Sequence, residues 1–304
     1  MEYYELLGLK LEPFMDTADP YFLYQSASHR ECLHRLEISL RLGRGLNLVL
    51  GDVGTGKTTL AQALEQTLMN EEQFLLGKLL DPTFSSESQF LENIRMIFNI
   101  DGRASGSLLA AKNLVKNFLF RAGVEETRTV VLLIDEGQKL TSVYLETLRM
   151  LLNYQTPQKK LLNIVIFGQL ELLSEIQQKP NFTDRISVFH ILVPLTRDET
   201  HKMIDFRLAR AGLPEGRELF TTEAKDFIFR ETHGRPRKIT LLCHEALEQL
   251  IVLNRNVVTE ELLTGILART KQTAAVAVGA GESVESGGNS SKPGFSLMKW
   301  LGRR

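Results

Sequence analysis

Residues 51–58 of the 304-residue chain read GDVGTGKT, which fits the pattern G-x-x-x-x-G-K-[ST] at Gly51, Gly56, Lys57 and Thr58. Glycines let a backbone wrap closely around phosphate groups, so that its N–H groups point inward. A lysine at this spacing reaches the β- and γ-phosphates, and the hydroxyl that follows it can bind Mg²⁺. The stretch therefore predicts a loop that binds a nucleoside triphosphate with Mg²⁺.

The segments on either side of the loop support this prediction. Residues 46–50 (LNLVL) form a short apolar run typical of a buried strand, and residues 58–68 (TTLAQALEQTL) have the composition of a helix. The positive N-terminal end of that helix would face the anion. We expect the following residues to contact the nucleotide: Gly51, Asp52, Val53, Gly54, Thr55, Gly56, Lys57, Thr58 and Thr59.

An acidic pair, Asp135 and Glu136, follows a second apolar run at residues 130–134 (VVLLI). In parallel α/β sheets the ligand crevice lies at the carboxyl ends of the strands. Asp135 is suited to hold Mg²⁺ together with Thr58, and Glu136 to orient or deprotonate an attacking water molecule. Lys57 and Glu136 are therefore candidate catalytic residues.

Short apolar runs alternate with helix-period segments as far as residue 195, which predicts an α/β fold with a mostly parallel sheet. Later segments have helical periodicity without strand-like runs. A small Gly/Ser-rich stretch follows, and the chain ends with FSLMKWLGRR. We predict four regions: a nucleotide-binding domain at 1–195, a helical domain at 196–269, a flexible linker at 270–294 and a short amphipathic segment at 295–304.

The composition indicates an ordinary globular protein, with 43% hydrophobic and 24% charged residues. The net charge of −1 shows no overall bias toward nucleic acid or an anionic membrane. Two isolated cysteines suggest neither a disulfide framework nor a metal site. Because there is no signal peptide at the N-terminus and no apolar run of about 18 residues, we expect a cytoplasmic protein.

The chain resembles the AAA+ ATPases of the general secretion pathway protein A (ExeA-type) family. The resemblance rests on YYELLGLKLEPF with DPYFLYQSASHRE near the start, and on GDVGTGKTTL, LLIDEGQKL, LRMLLNYQT, IVIFGQLEL and HGRPRKI. It implies a five-stranded AAA+ sheet followed by a helical lid. It also implies ATP as the nucleotide, a homo-oligomeric ring or filament, service to a secretion, pilus or other envelope system, and a cytoplasmic or peripheral inner-membrane location.

The resemblance assigns roles to three further residues. Gln169 corresponds to the position that senses the γ-phosphate, and Arg185 to the arginine that is supplied to a neighbouring subunit's ATP. Arg237 corresponds to the lid arginine at the nucleotide. We expect the segment 295–304 to dock to a partner or to a membrane surface.

Two alternatives stay open at this point. The first is a DNA-binding regulator similar to the transposon target-selection ATPases, although residues 81–106 contain only Arg95 and Arg103 as basic residues. The second is an ATP-binding scaffold that hydrolyses ATP very slowly.

Overall fold

Five apolar segments form a parallel sheet in the computed structural model of the chain, which describes residues 2–17, 19–102 and 107–281. The strand order is β2-β3-β4-β1-β5. The strands are β1 (Leu46–Gly51), β2 (Phe74–Leu79), β3 (Thr129–Ile134), β4 (Leu162–Gly168) and β5 (Ile186–Leu192). The predicted fold class, a parallel five-stranded sheet within an α/β protein, is confirmed.

Helices connect and cover these strands, as the sequence pattern indicates. Up to β5 they are α1 (Tyr3–Leu6), α2 (Ala27–Arg41), α3 (Lys57–Met69), α4 (Glu87–Ile97), α5 (Leu108–Phe120), α6 (Ser142–Leu151), α7 (Leu172–Gln177) and α8 (Pro180–Thr183). The later helices are α9 (Arg197–Arg210), α10 (Thr222–Thr232), α11 (Pro236–Val252) and α12 (Glu260–Gly281). None of the described helices is long and apolar enough to cross a membrane.

Alternate residues of the central strands supply two separate cores, one on each face of the sheet. On one face Leu48, Leu132 and Ile166 pack with side chains of α4, α5 and α6. On the other face, Val49 and Val165 pack with side chains of α2 and α3. Burial on both faces explains why these strands are continuously apolar, and it holds their carboxyl ends rigidly at one edge.

The described chain forms two compact units. One contains the sheet, as Thr17–Pro194 together with Arg235–Arg237. The other is helical and combines Leu195–Gly234 and residues 238–281 with residues 2–16. Within the helical unit, Thr196 and Glu199 form a reciprocal capping box at the start of α9.

The N-terminal 16 residues differ from the predicted division, which placed them with the sheet at 1–195. They group with the helical unit because their partners belong to it. Phe14 packs edge-on against Phe220, and the Lys10 N–H donates to the main-chain oxygen of Ala211 at 2.7 Å. These contacts join residues about 200 positions apart, which local sequence patterns do not reveal.

The helix α12 differs from the predicted linker at 270–294, because it continues to Gly281. Residues 274–280 read AAVAVGA, and alanine has the highest helix propensity of any residue. A small-residue composition is therefore compatible with a helix as well as with a linker. The rest of the linker and the segment 295–304 lie outside the described residues.

Candidate functional site

The loop after β1 curls at two glycines that adopt left-handed conformations. Gly54 has φ +80° and Gly56 has φ +93°, values that residues with a side chain rarely adopt. Gly56 is also the N-cap of α3, which begins at Lys57. The loop therefore ends at the amino terminus of a helix, where main-chain N–H groups without helical partners favour an anion.

Lys57 lies beneath the loop and is only 9% exposed. Its Nζ donates to the main-chain oxygens of Gly51 and Asp52, both at 2.8 Å. Burial lowers the pKa of Lys57, while the nearby charges of Glu136 and Asp135 act in the opposite direction. The lysine is thus a buried cation whose charge interacts with those of the acidic pair.

A buried histidine supports the loop from behind, and sequence reasoning missed it. His29, which is 1% exposed, places Nε2 3.1 Å from the main-chain oxygen of Thr55 and Nδ1 2.7 Å from the Ser26 hydroxyl. Because a carbonyl oxygen only accepts, Nε2 carries a proton and donates it to the Thr55 oxygen. In the sequence, His29 lies within QSASHRE, a segment whose pattern alone does not indicate contact with the loop.

The acidic pair forms a tight turn directly after β3. Asp135 is buried, and its Oδ1 accepts the main-chain N–H of Glu136 at 2.9 Å. Glu136 itself has φ +51° and ψ +37°, a left-handed conformation that costs a non-glycine residue about 1–3 kcal/mol. Such strain persists only where the surrounding structure imposes it, and it is concentrated at functional sites.

A glycine and a glutamine hold this turn against the end of β4. A Cβ on Gly137 would collide with the Ile166 side chain and lie 3.0 Å from the main-chain oxygen of Phe167. Gln138 donates from Nε2 to Glu136 Oε2 at 2.6 Å, and its Oε1 accepts the main-chain N–H of Gln169 at 3.0 Å. The predicted residues Glu136 and Gln169 are therefore connected through Gln138, which sequence reasoning did not select.

The predicted metal ligands Thr58 and Asp135 stand on separate elements, the first turn of α3 and the end of β3. No group of three or more His, Cys, Asp and Glu side chains in the described chain is placed to hold a metal ion. A magnesium ion bound with ATP needs few protein ligands, since phosphate and water oxygens complete its shell. A hydroxyl and a buried carboxylate fit that requirement.

Arg235–Arg237, from the GRPR sequence, belong to the sheet unit and contact the phosphate-binding loop. The main-chain N–H of Arg237 donates to Gly54 at 3.2 Å, and Arg235 Nη2 contacts Asp52 Oδ2 at 2.9 Å. The Nε of Arg235 is buried and makes no hydrogen bond with any described residue. Arg237 is the predicted residue of this segment, and its neighbour Arg235 also forms an ion pair with the loop.

Arg185 lies far from the phosphate-binding loop of its own chain. It precedes β5, whose first residue, Ile186, pairs with Leu46 at the start of β1, whereas Leu192 pairs with Gly51 at the loop. From Ile186 to Leu192 there are six residue steps of about 3.3 Å, so the two ends of β5 are roughly 20 Å apart. Its Nε donates to the main-chain oxygen of Asn181 at 3.3 Å. The structure does not bring Arg185 to the other predicted catalytic residues.

Comparison with known proteins agrees with this geometry. Residues 40–175 match the AAA domain family. General secretion pathway protein A of Aeromonas hydrophila is 34% identical over 247 residues, which cover 81% of this chain but only 44% of that relative. The chain therefore spans less than half of the length of this curated relative.

Solved structures with low sequence identity share the fold. A Drosophila ORC structure bound to DNA matches with a TM-score of 0.65 at 19% identity, covering 91% of this chain and 68% of that one. Cdc6p of Pyrobaculum aerophilum has a TM-score of 0.60 at 16% identity, with coverages of 78% and 67%. The RuvB Holliday junction branch migration motor of Thermotoga maritima has a TM-score of 0.54 at 16% identity, with coverages of 82% and 73%. With its phosphate-binding loop, acidic pair and sheet order, this chain has the AAA+ P-loop fold, carries an AAA domain at residues 40–175 and is similar to general secretion pathway protein A.

Proposed function

We propose that this protein binds ATP with Mg²⁺ and hydrolyses it to ADP and phosphate. The observation that carries the proposal is the buried Lys57, held beneath a glycine loop and electrostatically coupled to Asp135 and Glu136. Burying an ammonium group is costly unless anions compensate it. Pairing of the Lys57 ammonium with the phosphates of a nucleotide would compensate this cost.

Each residue has a distinct task in this mechanism. The N–H groups of residues 52–57 and the start of α3 would bind the phosphate oxygens, and Lys57 would neutralise charge that develops during phosphoryl transfer. Thr58 and Asp135 would hold Mg²⁺, which supplies electrostatic stabilisation of the transferring group. The carboxylate of Glu136 would orient the attacking water molecule and accept its proton.

We propose that the complete site forms between two subunits of a homo-oligomer. Arg185 is separated from the phosphate-binding loop of its own chain by the length of β5, about 20 Å. The arginine that stabilises phosphoryl transfer would therefore come from a neighbouring subunit. A head-to-tail interface of this kind produces a ring or a filament. ATPase activity per subunit should therefore increase with protein concentration.

Mixing two inactive variants tests the ATPase assignment and the shared site together. The wild type should release phosphate from ATP with Mg²⁺, and it should not do so in EDTA. Arg185→Ala and Lys57→Ala should each be inactive, but an equal mixture should recover about a quarter of wild-type activity, since one interface in four then has both residues. Arg149→Ala removes a nearby arginine that pairs with Glu146 and should remain active alone. If both variants are folded and their mixture shows no ATPase activity, Arg185 does not act across a subunit interface.

We propose that the ATPase serves an envelope secretion or pilus-assembly system. The support is the relationship to general secretion pathway protein A, of which this chain covers 44%. In a strain that lacks the gene, the wild-type protein should restore secretion or pilus formation, and Glu136→Gln should not. Equal levels of both proteins by immunoblot provide the control, and normal secretion without the gene would reject the assignment.

The DNA-binding alternative gains no support from the described residues. The Arg95 guanidinium bonds to the Glu92 carboxylate and to the main-chain oxygen of Ile100. Arg103 lies outside the described residues. The similarity to ORC, Cdc6p and RuvB is below 20% identity and therefore shows the fold alone.

A further inference from the structure

The side-chain amide of Gln138 forms hydrogen bonds with two candidate catalytic residues, Glu136 and Gln169. Its Nε2 donates to Glu136 Oε2 at 2.6 Å, and its Oε1 accepts from the main-chain N–H of Gln169 at 3.0 Å. A bond from an N–H to a carboxylate is stronger and shorter than one between neutral groups. One oxygen of Glu136 is therefore fixed, and the other remains for a water molecule.

The backbone leaves Gln138 little freedom to make other contacts. It lies in the 3₁₀ turn Gly137–Lys139, directly after the left-handed Glu136. The close approach of Gly137 to Ile166 and Phe167 presses this turn against β4. Strand β3 pairs with β4 up to Ile134 and Ile166, so the pairing continues to the residues just before the turn and the end of β4.

We propose that Gln138 is a positioning residue, which orients the Glu136 carboxylate and couples it to the end of β4 at Gln169. The inference rests on the proposed ATPase function and adds a residue that acts through Glu136. A shift of the Gln169 main chain would be transmitted by the Gln138 amide to the carboxylate. The end of β4 would thereby influence when the carboxylate is aligned for catalysis.

Two substitutions distinguish the hydrogen bond to Glu136 from the hydrogen bond to Gln169. In Gln138→Glu the new carboxylate still accepts the N–H of Gln169 but cannot donate to Glu136. In Gln138→Leu both bonds are lost while the size of the side chain is nearly kept. We expect kcat to fall about tenfold to a hundredfold in both variants, the scale of one hydrogen bond to a charged group. KM for ATP should change less than threefold, because neither hydrogen bond of Gln138 involves the phosphate-binding loop.

Double-variant analysis decides whether Gln138 acts through Glu136. In a Glu136→Gln background, the two Gln138 substitutions should reduce residual hydrolysis by less than twofold. Gln178→Glu, at an exposed glutamine after α7, is the matched control and should behave as wild type. ATP affinity and the melting midpoint of each variant establish that it is folded.

The inference would be overturned by full additivity of the Gln138 and Glu136 effects, or by an unchanged kcat in folded Gln138 variants. Those results would leave the ATPase proposal intact. Undiminished hydrolysis by Glu136→Gln alone would instead remove Glu136 as the base, and the role of Gln138 would fail with it.

Discussion

Glu136→Gln should still bind ATP but should release phosphate about 10²- to 10⁴-fold more slowly than the wild type, the usual contribution of a general base. The amide keeps the shape of the carboxylate but cannot accept a proton from water. Neither Lys57 nor the glycine loop is altered, so nucleotide affinity should be kept. Single-turnover phosphate release and titration with a fluorescent ATP analogue measure the two effects separately.

The matched control for this variant is Glu175→Gln, at an exposed position in the first turn of α7. It removes the same charge from the same unit and should hydrolyse ATP normally. Similar rates for wild type and Glu136→Gln would show that another group accepts the proton. If both rates were also close to zero, the protein would instead be an ATP-binding scaffold.

The central part of this site follows from the sequence because local patterns are sufficient there. A buried parallel strand needs apolar residues on both faces, and the first polar or glycine residue marks its end. Gly51 and Asp135 appear at such ends, and the carboxyl ends of parallel strands share one edge of a sheet. The proximity of the loop to the acidic pair could therefore be predicted without coordinates.

The connection through Gln138 could not be predicted, because it depends on strand register and on a close approach. The motif LLIDEGQKL offers four polar residues after β3, and their spacing does not indicate which one contacts β4. The answer comes from the pairing of Ile134 with Ile166 and from the missing side chain at Gly137. His29 was missed for a similar reason, since it meets Thr55 only after α2 packs on the sheet.

The division into units depends on contacts that are still more distant in the sequence. Arg217 donates to the main-chain oxygen of Leu7 at 2.7 Å, across 210 positions. Arg207 donates in the same way to Pro13 at 3.2 Å. Strand and helix periodicity describe neighbours within about 15 residues, so they could not assign the N-terminal segment to the helical unit.

Lys57→Met should weaken ATP binding by roughly 30-fold to 4,000-fold, because removing one member of a buried, hydrogen-bonded charge pair costs about 2–5 kcal/mol. Methionine keeps most of the side-chain volume, so the loss isolates the ammonium group. Lys57→Ala should have at least the same effect on binding. Isothermal titration with a slowly hydrolysed ATP analogue and Mg²⁺ measures the change.

The ligand-free stability of the same variant should respond differently. Burial lowers the pKa of Lys57 in the folded protein, so the charged lysine opposes folding at neutral pH. This penalty is complete below the folded pKa, and it disappears as the pH rises from there through the unfolded value. Lys57→Met removes it, together with the bonds to Gly51 and Asp52, so the free energy of unfolding at pH 7 should change little.

The two expectations together give one decisive measurement, the rise in melting temperature caused by ATP and Mg²⁺. A ligand that binds only the folded state stabilises it in proportion to the logarithm of its concentration over Kd. Wild type and Lys225→Met, which breaks the ion pair with Asp205 in the helical unit, should show the full rise. Lys57→Met should begin from a similar melting temperature and show almost none. A full rise in that variant would mean that the nucleotide does not bind at the loop of residues 51–58.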